Sequence, residues 1–153
     1  MATKIKRSAK PDAPAVQKGA DDLDVLHPER HLVIGDRKIV VREYGHVEWL
    51  RLLPLAAPLV TSISALLEAG RDPTYEEALG IVATHIDALA PLIAQAADMD
   101  EATFDALAPD EGELLLMTWW GANGRFFVQR ALNRVAVGRA EVSLTRDTAA
   151  LLL

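Results

Sequence analysis

Residues 114–127, LLLMTWWGANGRFF, set two adjacent tryptophans and two adjacent phenylalanines on either side of a short segment bounded by Gly121 and Gly124. Upstream, Pro109, Asp110, Glu111 and Glu113 suit the start of a helix, because carboxylates there face the positive end of the macrodipole. The spacing predicts a helix from Pro109 to Trp120, a break at Gly121-Ala122-Asn123-Gly124, and a second helix from Arg125 to about Val135. Neighbouring side chains on a helix point about 100° apart, so Trp119 and Trp120 cannot share one narrow buried stripe, and neither can Phe126 and Phe127. Either both directions are buried because these helices are central, or the outward member of each pair borders an apolar groove.

Working outward, the rest of the chain also reads as helical, apart from one hairpin. His31 to Ile34 and Lys38 to Arg42 are short β-branched runs flanking Gly35-Asp36, where glycine supplies the positive φ of a two-residue turn. Residues 46–69 are apolar on most sides and contain Pro54 and Pro58, which predicts a short helix to about Leu53 and a second to Glu68, with Gly70 as the stop. Thr74 and Glu77 form a capping-box pattern before a stripe of Tyr75, Leu79, Val82, Ile86, Leu89 and Ile93, which Pro91 should bend or restart. Asp100 can cap one short turn carrying Phe104 and Leu107. The expected fold class is mainly α, a small helical bundle with an N-terminal β-hairpin over residues 23–135. Residues 1–22, rich in Lys, Ala, Pro and Asp, read as a disordered arm, and 136–153 as a partly disordered tail.

At 153 residues, half of them apolar, the chain can build one core without a metal or disulfide. The absence of cysteine excludes a disulfide framework, a thiolate zinc site and a cysteine nucleophile. Charge is uneven: net +2 over 1–22, −11 over 23–124 and +3 from 125 onward. An acidic middle disfavours nucleic acid, which needs a continuous basic face. MATKIKRSAK leads into PDAPAVQKGADD rather than an apolar run, unlike a signal peptide, and charges such as Arg51, Glu68 and Asp87 are expected to interrupt every candidate membrane span.

No catalytic, cofactor-binding or metal-ligating set emerges. His27, His31, His46 and His85 lack ligand spacing. The acidic run from Asp98 to Glu101 departs from a calcium loop where Thr103 and Pro109 stand. The serines lack a nucleophile-elbow context, and the Gly121 to Gly124 segment lacks the Gly-Lys-Ser/Thr ending of a phosphate loop. The reading is therefore a non-enzymatic protein that binds other proteins. Trp49, Leu53, Trp119, Trp120, Phe126 and Phe127 are its candidate partner-binding residues.

Two segments, HLVIGDRKIVVREYGHVEWLRLLPL (31–55) and DEGELLLMTWWGANGRFFVQRAL (110–132), give the chain an order of features that resembles the tail assembly chaperones of long-tailed bacteriophages. In such proteins a proline- or acid-led helix precedes an asparagine and paired phenylalanines, a pattern that Asn123, Phe126 and Phe127 fit, although Gly124 and Arg125 intervene. The resemblance covers residues 23–135. It implies binding of the tape measure protein, recruitment of tail tube protein around it, and action in the host cytoplasm without membrane or nucleic acid, with self-association into a homo-oligomer left open. It also implies a longer form made by ribosomal frameshifting near the C-terminus. The alternative of another class is a structural virion protein, a tail completion or head-tail connector component.

Overall fold

The computed structural model describes residues 29–152, so the expected arm over 1–22 lies outside the described residues. The fold is mainly α with an N-terminal hairpin. Strands β1 (Arg30–Ile34) and β2 (Arg37–Val41) pair antiparallel, with Leu32 opposite Ile39 and Ile34 opposite Arg37. Gly35 alone in the turn has positive φ, at 59°, the pattern of a type II′ turn that matches strand twist. Alternation puts Leu32, Ile34, Ile39 and Val41 on the buried face and Val33 and Val40 outside. Two strands alone are marginal in water, and these lie on a helix instead.

Helix α1 (His46–Glu68) runs unbroken through Pro54 and Pro58, which corrects the expected division near Leu53. The carbonyls left without donors belong to Leu50 and Pro54, both exposed residues, so water can satisfy them at the outer face. Its start is fixed by Glu48, whose carboxylate accepts from the Gly45 N–H at 3.1 Å. From Leu50 to Leu67 only Arg51 is charged, and α1 is long and apolar enough to cross a bilayer, contrary to the expected interruption. A third of that window is buried, and its inner residues Leu52, Ala56, Leu59, Val60, Ile63 and Leu67 belong to the core of this fold.

Helix α2 (Tyr75–Thr84) has the predicted capping box: Thr74 Oγ1 accepts from the Glu77 N–H, and Glu77 accepts from the Thr74 N–H. The expected restart at Pro91 occurs instead at His85, where the chain turns through 116° into α3 (Ile86–Ala96). Pro91 lies within α3, half-buried, without breaking it. Asp98 at φ 51° turns the chain and Asp100 caps α4 (Glu101–Asp105) through the Thr103 N–H at 2.7 Å, so two acids of the former calcium-loop candidate shape the backbone.

Helix α5 (Pro109–Leu151) is continuous for 43 residues, roughly 65 Å, and corrects two expectations. There is no break at Gly121 to Gly124, and the segment assigned to a partly disordered tail is helical to Leu151. Each glycine costs a helix about 1 kcal/mol against alanine, too little to interrupt one packed on both sides of the site. Beyond Gly138 the sequence holds no proline and is rich in Ala, Arg, Leu and Thr, so nothing stops propagation. The core lies where α1, α3 and the first half of α5 meet the hairpin: Val41, Leu59, Ile63, Leu89, Leu92, Ile93, Leu115, Trp119 and Phe127 are fully enclosed.

Candidate protein-binding cleft

A single connector, Arg42 to Gly45, joins the hairpin to α1 and is held from three directions. From α5, buried Asn123 accepts from the Tyr44 N–H at 3.3 Å and donates to the Arg42 carbonyl at 3.0 Å. One amide thus satisfies a donor and an acceptor of a strandless segment. From α3, the Leu92 carbonyl accepts from the Tyr44 hydroxyl at 2.5 Å, and the Ala96 carbonyl accepts from the Arg42 N–H at 3.1 Å. Trp119 Nε1 donates to the Tyr44 hydroxyl at 2.9 Å. Burial pushes the Tyr44 hydroxyl far above its ordinary range, against the opposing hydrogen bond from Trp119, so it stays neutral and keeps both roles.

The third hold is ionic. Arg42 donates to both oxygens of Glu48 at 2.7 Å, a forked pairing, and Gln95 Nε2 donates to the same carboxylate at 2.6 Å. These donors, Arg42 foremost, hold the Glu48 carboxyl down at about 2. The same contact raises the Arg42 guanidinium further above its ordinary value.

Around this connector the aromatic pairs divide as helix geometry requires. Trp119 and Phe127 are sealed in the core, 5.3 Å apart between ring centroids. Trp120 and Phe126 are half-buried. Trp120 stacks on Phe127 with an interplanar angle of 7° and lies over Gly124, where an added Cβ would come within 2.9 Å of the indole. Gly124 is therefore a slot for a ring, and that close approach explains a glycine inside an unbroken helix. On the other side, half-buried Trp49 meets Phe127 edge-on at 5.2 Å, stacks on Tyr44 at 6.3 Å and reaches Phe126 at 6.2 Å.

Trp49, Phe126 and Tyr44 wall a cleft of about 620 Å³, with Glu29, Glu43, His46, Arg42 and Arg125 at its edge. Arg125 stands 4.9 Å over the Phe126 ring and donates to Glu43 at 2.8 Å, so these two charges of the rim pair with each other. An apolar floor with a polar rim is a composition suited to holding an apolar group. Among the described residues no group of three His, Asp or Glu converges as a metal site.

Of the candidate partner-binding residues, the structure brings Trp49 and Phe126 together in this cleft. Leu53 lies in a separate groove between α1 and α5, Trp120 faces α2 near Tyr75 and Leu79, and Trp119 and Phe127 are core. The six do not form one surface. The Gly121 to Gly124 segment, which lacks a phosphate-loop ending, lies inside α5. Sequence reasoning passed over Tyr44, Arg42 and Glu48. A tyrosine three residues past a strand and an acid at the third position of a helix were the available signals, but their partners lie up to 79 residues away.

Fold and cleft define a helical protein with a hairpin head and one amphipathic recess beside a clamped connector. By sequence, residues 22–150 match a family of unknown function (DUF6631), and the chain belongs to that family. No curated protein and no solved structure matches it.

Proposed function

We propose that this protein is a tail assembly chaperone of a long-tailed phage, non-enzymatic, which holds apolar helical segments of the tape measure protein and helps recruit tail tube subunits in the host cytoplasm. The observation that carries this reading is the recess walled by Trp49 and Phe126, two large rings left half-buried beside a fully enclosed core. The residues that support the phage reading specifically are Asn123, Phe126 and Phe127, in the order noted above. The net charge of −11 over residues 23–124 disfavours indiscriminate clustering through the cleft, which a holding protein with accessible apolar surface must avoid. Of the expected site residues, Trp49 and Phe126 form the client cleft; Trp119 and Phe127 support it from within.

Co-expression with the tape measure protein of the same genome tests the reading. The wild-type chain should keep that protein soluble and co-purify with it, and Phe126→Ala should lose it while melting within a few degrees of wild type. Finished virions should lack the chain; its presence there in fixed copy number would establish the structural-component alternative instead.

A further inference from the structure

The last four turns of α5 project from the body without a partner among the described residues. Every residue from Ala136 to Leu152 is exposed, and the projection extends for roughly 24 Å. Val137, Ala140, Leu144 and Leu151 follow one another at intervals of three, four and seven, which places them along one side of the helix. Val137, Leu144 and Leu151 are 58%, 68% and 87% exposed. An isolated helix of this length is marginal in water, and this one carries large apolar side chains along an uncovered face. The stripe begins in the groove noted above, a recess of about 340 Å³ between α1 and α5 lined by Leu53, Ala57, Val60 and Val137, with Arg130 and Arg134 at its edge. The far end of α5 has no basic residue in its last turn, so its exposed carbonyls keep their partial negative charge.

We propose that a second copy of this chain covers the stripe, the two projecting helices pairing antiparallel about a two-fold axis through Leu144. The spacing is symmetric about that residue: Val137 and Leu151 each lie seven positions from Leu144. Antiparallel pairing therefore sets Leu144 against Leu144 and brings each Leu151 over the partner copy's Val137, at the mouth of the apolar groove. There the negative end of one helix meets the arginines that edge the other copy's groove, a match of both polarity and charge. Glu141 and Asp147 flank the stripe on opposite sides, so the two acids do not meet across the pair. The contact is isologous and closed, which limits assembly to the dimer.

Because the chain has no cysteine, single cysteines report this geometry directly. Under mild oxidation of the full chain, Leu144→Cys should form a covalent dimer, while Arg146→Cys, on the opposite face, should stay monomeric. Leu151→Cys alone should also stay monomeric but should cross-link when mixed with Val137→Cys. Sedimentation of the unmodified wild type should give a dimer, and Leu144→Glu a monomer that retains the helical signal of the body. A monomeric wild type, a higher oligomer, self-linking of Leu151→Cys or equal linking at Arg146→Cys would each overturn the proposal.

Discussion

Asn123 shows how much of this architecture depends on single buried polar groups. Replacing it with alanine strands the buried Tyr44 N–H and the part-buried Arg42 carbonyl, which should cost about 1–3 kcal/mol in a urea titration; a loss under about 0.5 kcal/mol would mean that neither bond matters. Gly124 and Gly138 make a matched pair inside one helix. At Gly138 nothing lies within 4 Å of an added Cβ, so Gly138→Ala should gain up to about 1 kcal/mol from helix propensity. At Gly124 the same methyl meets the Trp120 ring at 2.9 Å, so the gain should be reversed into a loss of about 1–3 kcal/mol, read in the same titration. Equal effects at both positions would contradict the slot assigned to Gly124. That the members of each aromatic pair point different ways was legible from a rotation of about 100° per residue; which member faces the core was not. The role of Asn123 was not, since its partners are 79 and 81 positions away and leave no local mark.

At the scale of elements, the Arg42–Glu48 fork fixes where the hairpin ends and α1 begins. Its carboxylate has a depressed pKa in the folded state, about 2 against an ordinary 4.5, so its contribution is complete above about pH 4.5 and is lost as pH falls toward 2. Glu48→Gln should therefore lower stability at neutral pH by about 1–2 kcal/mol, a modest figure because Arg42 is partly exposed, and the deficit should shrink below pH 4.5. Urea midpoints measured across that range check it, and a constant difference would place the effect elsewhere. The hairpin, the Thr74–Glu77 box and the Asp100 cap were readable because each is made within a few residues. The misplaced breaks share one cause. Pro54, Pro58, Pro91, Gly121 and Gly124 carry local penalties of roughly 1–3 kcal/mol, which packing along α1, α3 and α5 outweighs and which no short window reveals.

Among the described residues, apolar surface is sealed in the core, half-exposed in the Trp49 cleft and exposed along the projecting helix, with single exposed residues such as Val33 and Met117 elsewhere. The mainly helical class and the hairpin were evident from periodicity and turn chemistry. The assembly of the site was not, because six residues at plausible positions turned out to belong to a core, a cleft, a groove and a helix flank. The central claim, that the cleft holds an apolar segment of another protein, is tested most directly by amide hydrogen exchange on the full chain with and without the co-expressed tape measure protein. The account predicts added protection centred on residues 42–50 and 122–129, where the connector, the start of α1 and the Phe126 turn of α5 meet. Protection that leaves those two segments unchanged, or that falls only on α2 and α4, would contradict it.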